Sequence, residues 1–325
     1  MPLRRGLIIL SVIRSETEKR LAWALFWVLA VLARAVAAEP IPVIDAHSQV
    51  DFNADMDRIV HAMDEAGVAV TLLAARSRAD PEDVLALAAR HPHRIIPAVR
   101  TKGGKYARNE PGYFGIVERQ LALGGFRAMA EVLMWHAEKF NRNGDSIAPP
   151  VIALPEDSRV QSALGVALKR GWPFVMHIEF GSTGSRRDEF MSKMESLVAS
   201  HPQHPFALIH MGQLEAKNVS RLIEAHPNLV FLTAHTTPLS VRKSREPWSN
   251  LFLGSRLAPQ WKTLVLQHPT RFVMAFDNVW EAHWGSFYLR QAALWRKALQ
   301  DLPPQVAHAI AHRNAEHLWH LPPAN

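Results

Sequence analysis

The stretch IPVIDAHSQVDF, Ile41 to Phe52, begins as a run of apolar and β-branched residues and ends in an acid, a histidine, a serine and a glutamine. Its run Pro42 to His47, without polar alternation, reads as a strand buried on both faces, the kind found in parallel sheets. Seven further stretches share this character: Val68 to Ala75, Ile95 to Val99, Phe126 to His136, Pro173 to Glu179, Phe206 to Met211, Leu229 to His235 and Arg271 to Asp277. Amphipathic helical patterns separate them, among them Asp55 to Ala66, Pro81 to Arg90, Asp157 to Arg170 and Val219 to Ala225. Eight strands alternating with helices predict a single (β/α)8 TIM-like barrel over residues 39–325.

The punctuation agrees with that topology. His-Pro occurs at His91, His201, His226 and His268, each time at a helix end just ahead of a strand. Proline stops a helix, and histidine suits the negative end of its dipole, so these four read as structural residues at the bottom of the barrel.

A second set of histidines falls at strand C-termini, the face on which β/α barrels carry their chemistry: His47, His136, His177, His210 and His235, with Asp277 ending the eighth strand. One histidine at a strand end is usually a satisfied polar residue; five with an acid form a candidate site. VIDAHSQ, FVMHIEF, ALIHMG and MAFDN, together with the approach LPEDSRVQSALGVALKRGWPFVMH and the closing AHRNAEHLWHL, give the chain from Ile41 to Leu321 its resemblance to a known family. It resembles the metal-dependent amidohydrolase superfamily, specifically the amidohydrolase-related group with decarboxylase-like and lactonase-like members.

That resemblance implies a barrel of the metal-dependent hydrolase type, one divalent ion, zinc or manganese, and metal positions His47, Gln49, Glu131, His177, His210 and Asp277. The family's strand-one pattern is His-any-His, whereas here it is His47-Ser48-Gln49, so a neutral amide replaces an imidazole ligand. Two arrangements follow: Glu131 with His177 and His210, or His47 with His177 and Asp277. Asp277 and His210 are the catalytic candidates, with Asp277 as the base that takes a proton from metal-activated water. The expected reaction is hydrolysis of a C–N or C–O bond, amide, ester or lactone. The alternatives are a decarboxylase or lactonase of the same superfamily and an inactive ligand-binding barrel.

Basic residues in the loops after strands three, five and seven, including Lys102, Lys105, Arg108, Arg186, Arg187 and Arg242, predict a rim that attracts a small anionic substrate. Arg186, Arg187 and Lys105 are the substrate-binding candidates, and Trp135 and Trp280 flank the mouth with core packing as their expected role. No Walker loop, dinucleotide fingerprint or Gly-any-Ser-any-Gly elbow occurs, and there is no cysteine to supply a thiolate ligand or nucleophile.

Residues 1–38 have the layout of a secretory signal: basic residues up to Arg20, the apolar run LAWALFWVLAVLA, then small residues with cleavage expected after Ala37 or Ala38. The expected location is therefore periplasmic or secreted, without a stable membrane anchor. The leader holds six Lys or Arg and two acids, so the formal charge falls from +7 to +3 without it, too mild for a nucleic-acid surface. The expected partner is a small-molecule substrate; a homo-oligomer stays open.

Overall fold

In the computed structural model the eight apolar runs become eight parallel strands: Val43–Val50 (β1), Val68–Ala75 (β2), Ile95–Val99 (β3), Ala128–Met129 with Val132–His136 (β4, in two pieces), Phe174–Ile178 (β5), Phe206–Leu208 (β6), Leu229–Leu232 (β7) and Phe272–Val273 (β8). The structure describes residues 40–140, 143–244 and 246–324. The leader expected over residues 1–38 lies outside them. Among the described residues no helix is long and apolar enough to cross a membrane.

Each strand pairs in parallel with the next, and the first piece of β4 continues the sheet of β1 to β3 while the second joins β5. The ring closes between the first and last strands: Ala46 N donates to Met274 O at 2.9 Å, and Asp277 N to His47 O at 2.8 Å. The fold is a TIM barrel.

The helices start where side chains can cap them. Asp55 accepts from Asp57 N and Arg58 N ahead of Met56–Ala66 (α1); Asp80 accepts from Glu82 N ahead of Pro81–Arg90 (α2); Asp157 accepts from Arg159 N ahead of Ser158–Arg170 (α3). Three further outer helices are Arg187–Ser200 (α4), Ala216–Ala225 (α5) and Pro259–Gln267 (α6). His91, His201, His226 and His268 are the C-cap residues of α2, α4, α5 and α6. The His-Pro pairs thus end four helices on the side opposite the strand C-termini.

Two apolar clusters separate by strand parity. Val70, Leu72 and Ala74 of β2, Ile96 and Ala98 of β3, Val230 and Leu232 of β7 and Val273 of β8 face the barrel interior. Their alternates, such as Leu73, Val99, Phe231 and Phe272, pack against the helices. Trp319 and Leu321, at the end of the chain, join the interior cluster. Asn314 Nδ2 donates to Pro269 O at 2.8 Å and Phe272 O at 2.7 Å, which fixes that terminal helix at the N-terminal end of β8. The bottom of the barrel is therefore plugged, and the chemistry is left to the top.

Candidate metal centre

Simple alternation brings only part of the cluster inward. On β5 the interior residue Val175 is followed by His177 and Glu179, and beyond β8 Ala275 is followed by Asp277. Elsewhere the backbone departs from regular strand. In β1 a bulge sets Ala46 and His47 against Leu72, since Asp45 pairs with Thr71 and Ser48 with Leu73. Ala46 therefore stays in the interior cluster while His47 and Gln49 also turn into the mouth. Buried Asp45 pins the bulge by accepting from Ser48 Oγ at 2.5 Å and Phe276 N at 2.9 Å. Burial, only partly offset by those bonds, pushes its carboxyl up to about 7.

Beyond β6 and β7 the chain enters left-handed backbone, at His210 (φ 58°) and His235 (φ 57°), and Asp277 (φ 52°) shares that conformation. Met211, Gly212 and Gln213 continue the left-handed run after His210. Non-glycine residues rarely adopt this region, and such strain concentrates at functional sites. Glu131 sits in the gap between the two pieces of β4, fully buried.

Around two buried carboxylates the cluster has two unlike sides. On one, Gln49 Nε2 donates to Asp277 Oδ1 at 2.9 Å and Glu131 Oε1 at 3.4 Å and lies 3.4 Å from His47 Nε2. Lys102 Nζ also donates to Glu131 Oε1. His177 Nδ1 meets Glu131 Oε2 at 2.7 Å, and its Nε2 meets Glu179 Oε1 at 3.2 Å. Burial disfavours a charge on His177, but Glu131 and Glu179 outweigh it and hold the imidazolium up to about 9. Burial likewise opposes ionisation of Glu131, yet Lys102 and His177 keep it well below the usual carboxylate range. This side is filled with N–H donors.

The other side presents a lone pair on His210 and an unpartnered nitrogen on His235. His210 Nδ1 lies 3.2 Å from Ala234 O, which makes Nδ1 the protonated nitrogen and leaves Nε2 an acceptor. That Nε2 faces Asp277 Oδ2 at 3.7 Å and Glu131 Oε2 at 3.8 Å. His235 Nδ1 faces the same Oδ2 at 3.5 Å and is buried without a hydrogen-bond partner. Burial, reinforced by the neighbouring imidazoles, keeps His210 neutral, and burial does the same for His235. Burial and Glu131 push the Asp277 carboxyl up, but His235, His47 and His210 prevail and hold it at about 2. Two neutral imidazole nitrogens and an ionised oxygen are a donor set that suits a divalent ion of zinc type. A tetrahedral ion about 2.1 Å from each ligand sets ligands roughly 3.4 Å apart, close to the spacings here.

Trp248 roofs that lone-pair side, its ring 4.8 Å from His210 and 5.1 Å from His235. Beside it Glu246 Oε2 meets Lys139 Nζ at 2.7 Å, and Lys139 reaches the Glu179 oxygens at 2.6 and 2.8 Å.

All six sequence-derived metal positions, His47, Gln49, Glu131, His177, His210 and Asp277, meet at this mouth. The set Glu131, His177 and His210 lies within common ligand reach; among the described residues His47 and Asp277 share such a group with Glu131 and not with His177. Arg186 pairs with Glu189 at 2.9 Å, Arg187 donates to Phe180 O at 3.1 Å, and Lys105 packs its ammonium against Gly112. Trp135 packs edge-on against Phe190 at 4.9 Å, whereas Trp280 is exposed beneath Arg76. His235 as a donor, Glu179, Lys139 and Trp248 were not assigned from sequence. The signal for Glu179 was present, two residues beyond His177 on one strand. Nothing local marked Trp248.

One comparison with a known structure supports the architecture. The chain is similar to an uncharacterised TIM-barrel protein from Bordetella bronchiseptica, with a TM-score of 0.54 at 14% identity over 86% of this chain and 99% of that one. It also aligns with a uronate isomerase from Bacillus halodurans (TM-score 0.47, 11% identity, 83% and 70% covered) and a TatD-like protein from Archaeoglobus fulgidus (0.44, 13%, 86% and 99%). At 14% identity the likeness to the Bordetella bronchiseptica protein speaks for the fold alone. No family model matches the chain, and no curated protein matches its sequence.

Proposed function

We propose that the protein is a metal-dependent hydrolase of the amidohydrolase kind, acting on a C–N or C–O bond of a small anionic substrate. The observation that carries this reading is the unpartnered, buried Nδ1 of His235 beside His210 Nε2 and Asp277 Oδ2. In the tautomer that carries its proton on Nε2, His235 joins His210 Nε2 and Asp277 Oδ2 as a third acceptor, and a cation would join the three. His210, His235 and Asp277 would hold the ion, with Glu131 Oε2 within reach. A divalent ion in this position supplies Lewis acidity and lowers the pKa of water towards 7.

The chain's own groups supply the rest. Ala234 O fixes the His210 tautomer, so its Nε2 lone pair always faces the carboxylates. Asp277, ionised at neutral pH, is the proton acceptor among the groups that would hold the ion, and Gln49 holds its Oδ1 in place. His177, an imidazolium with both nitrogens on glutamates, helps keep Glu131 ionised beside that space. Trp248 excludes water from the histidine side.

A second reading, an inactive ligand-binding barrel, draws its support from Gln49 and Lys102, which already neutralise one side of the cluster. Metal analysis separates the two. The hydrolase reading expects close to one divalent ion per chain after dialysis, and ester or amide hydrolysis that a chelator stops and zinc or manganese restores. A chain that binds neither metal at any supplied concentration belongs to the second reading.

Export to the periplasm or exterior is part of the proposal, supported by the pattern of residues 1–38. Protein recovered from its native compartment is expected to begin near Ala38 or Glu39; a soluble cytoplasmic chain that still begins at Met1 would refute export.

A further inference from the structure

The ammonium of Lys102 stands between two spaces. On one side it donates to Glu131 Oε1. On the other it lines a cavity of about 250 Å³ that also meets Arg76, Arg108 and His136, with Leu133 and Ile147 on the apolar wall. A cavity of that size admits only a small molecule. Its two guanidiniums are already committed, Arg76 to Asp51 at 3.0 Å and Arg108 to Glu110 at 2.5 Å. The Nδ1 of His136, at the same cavity, is buried and has no hydrogen-bond partner. The cavity thus has polar lining residues and an apolar wall, but its arginine charges are spent on acids.

At Glu131 the donors are crowded. Oε1 accepts from both Lys102 and Gln49, while Oε2 meets His177. Gln49 has a second anchor on Asp277 at 2.9 Å and His177 one on Glu179 at 3.2 Å, so repulsion from a cation arriving at Oε2 is resisted least at Lys102 on Oε1. The backbone permits it to leave. Lys102 is followed by Gly103 and Gly104, and Gly103 has φ 144°, a conformation L residues rarely adopt, with nothing within 4 Å of where a Cβ would stand.

We infer that Lys102 is a shared cation: it neutralises Glu131 while the centre lacks metal and, once a divalent ion takes that carboxylate, turns into the neighbouring cavity to bind the anionic group of the substrate. The inference rests on the metal-dependent reading above and deepens it. It makes metal and anion uptake reciprocal, since each ligand favours the same position of one side chain. It also names the substrate class, a small carboxylate or similar anion on a compact apolar body, because the wall beside Lys102 is made of Leu133 and Ile147.

Isothermal titration of the full chain with zinc and with benzoate, each alone and in the presence of the other, tests it. Wild type is expected to bind benzoate roughly tenfold more tightly when zinc is present, and zinc more tightly by the same factor when benzoate is present. Lys102→Met is expected to bind zinc at least as tightly as wild type without benzoate and to lose the coupling; Lys102→Arg, which restores a cation, should recover part of it. Thermal melts establish that the variants are folded. Coupling that persists in Lys102→Met would mean that benzoate binds the metal directly, and the shared-cation inference fails. Zinc binding without any coupling in wild type overturns the inference while the metal-dependent reading stands. Absence of zinc binding in both chains ends both.

Discussion

The two sides of the cluster share the same carboxylates and differ in what faces them. The Gln49 side offers Asp277 and Glu131 a neutral amide and an ammonium; the His235 side offers the His210 Nε2 lone pair and a buried His235 nitrogen without a hydrogen-bond partner. A buried acceptor with a donor is a finished structure, whereas converging acceptors are stable only around a cation. Proximity of ligating residue types therefore does not define a metal pocket. The placement of protons does.

The largest expected effect breaks the lone-pair side. His210→Ala removes a nitrogen and should weaken zinc binding by roughly 100-fold or more, with His235→Ala costing roughly 10- to 100-fold. His47→Ala, on the donor side, is expected to change affinity far less. Calorimetry or dialysis with metal analysis ranks the three, and His47→Ala as the worst variant would reverse the assignment.

The next prediction converts one side into the other. Gln49→His replaces the amide donor with an imidazole acceptor between His47, Glu131 and Asp277, and is expected to admit a second ion or tighten the first. Unchanged stoichiometry and affinity would show that the donor side resists metal for another reason.

A smaller effect tests the charge on His177, whose pKa rises from an ordinary 6.5 to about 9. A group raised on folding stabilises the native state fully below its unfolded pKa, and that contribution disappears as pH climbs through the folded value. The thermal midpoint of metal-free protein should therefore fall between about pH 6.5 and 9, and His177→Gln should flatten that slope. A wild-type midpoint that holds level or rises over this window would argue for a neutral His177.

The smallest effect lies on the rim. With Arg186 bound to Glu189 and Arg187 to Phe180 O, replacing both by Ala is expected to alter KM for an anionic substrate by less than about twofold, as solvated surface pairs contribute little. A tenfold rise in KM would return these arginines to the substrate.

Regular periodicity made the barrel legible in the sequence. Val68–Ala75 and Ile95–Val99 are strands with the expected bounds, and the four His-Pro pairs cap helices. The centre was legible in residue type but not in arrangement, because irregular backbone sets the arrangement. A bulge turns His47 inward, a break in β4 holds Glu131, and left-handed residues carry His210, His235 and Asp277. None of these has a period to read. His177, on a regular strand, could be placed inward by counting, but its partner Glu179 took the nitrogen that a metal would need. Trp248 was hidden for a different reason, since a long-range loop contact leaves no pattern in its neighbours.

The left-handed run from His210 to Gln213 has a consequence for any effort to make this protein hardier. Left-handed backbone costs an L residue about 1 to 2 kcal/mol, so glycine in place of Gln213, whose buried amide has no hydrogen-bond partner, would relieve local strain. Glycine would also free the turn that aims His210 at its carboxylates. Selection for heat resistance alone would thus tend to accumulate changes at the mouth that leave the barrel more durable and its centre less well aimed.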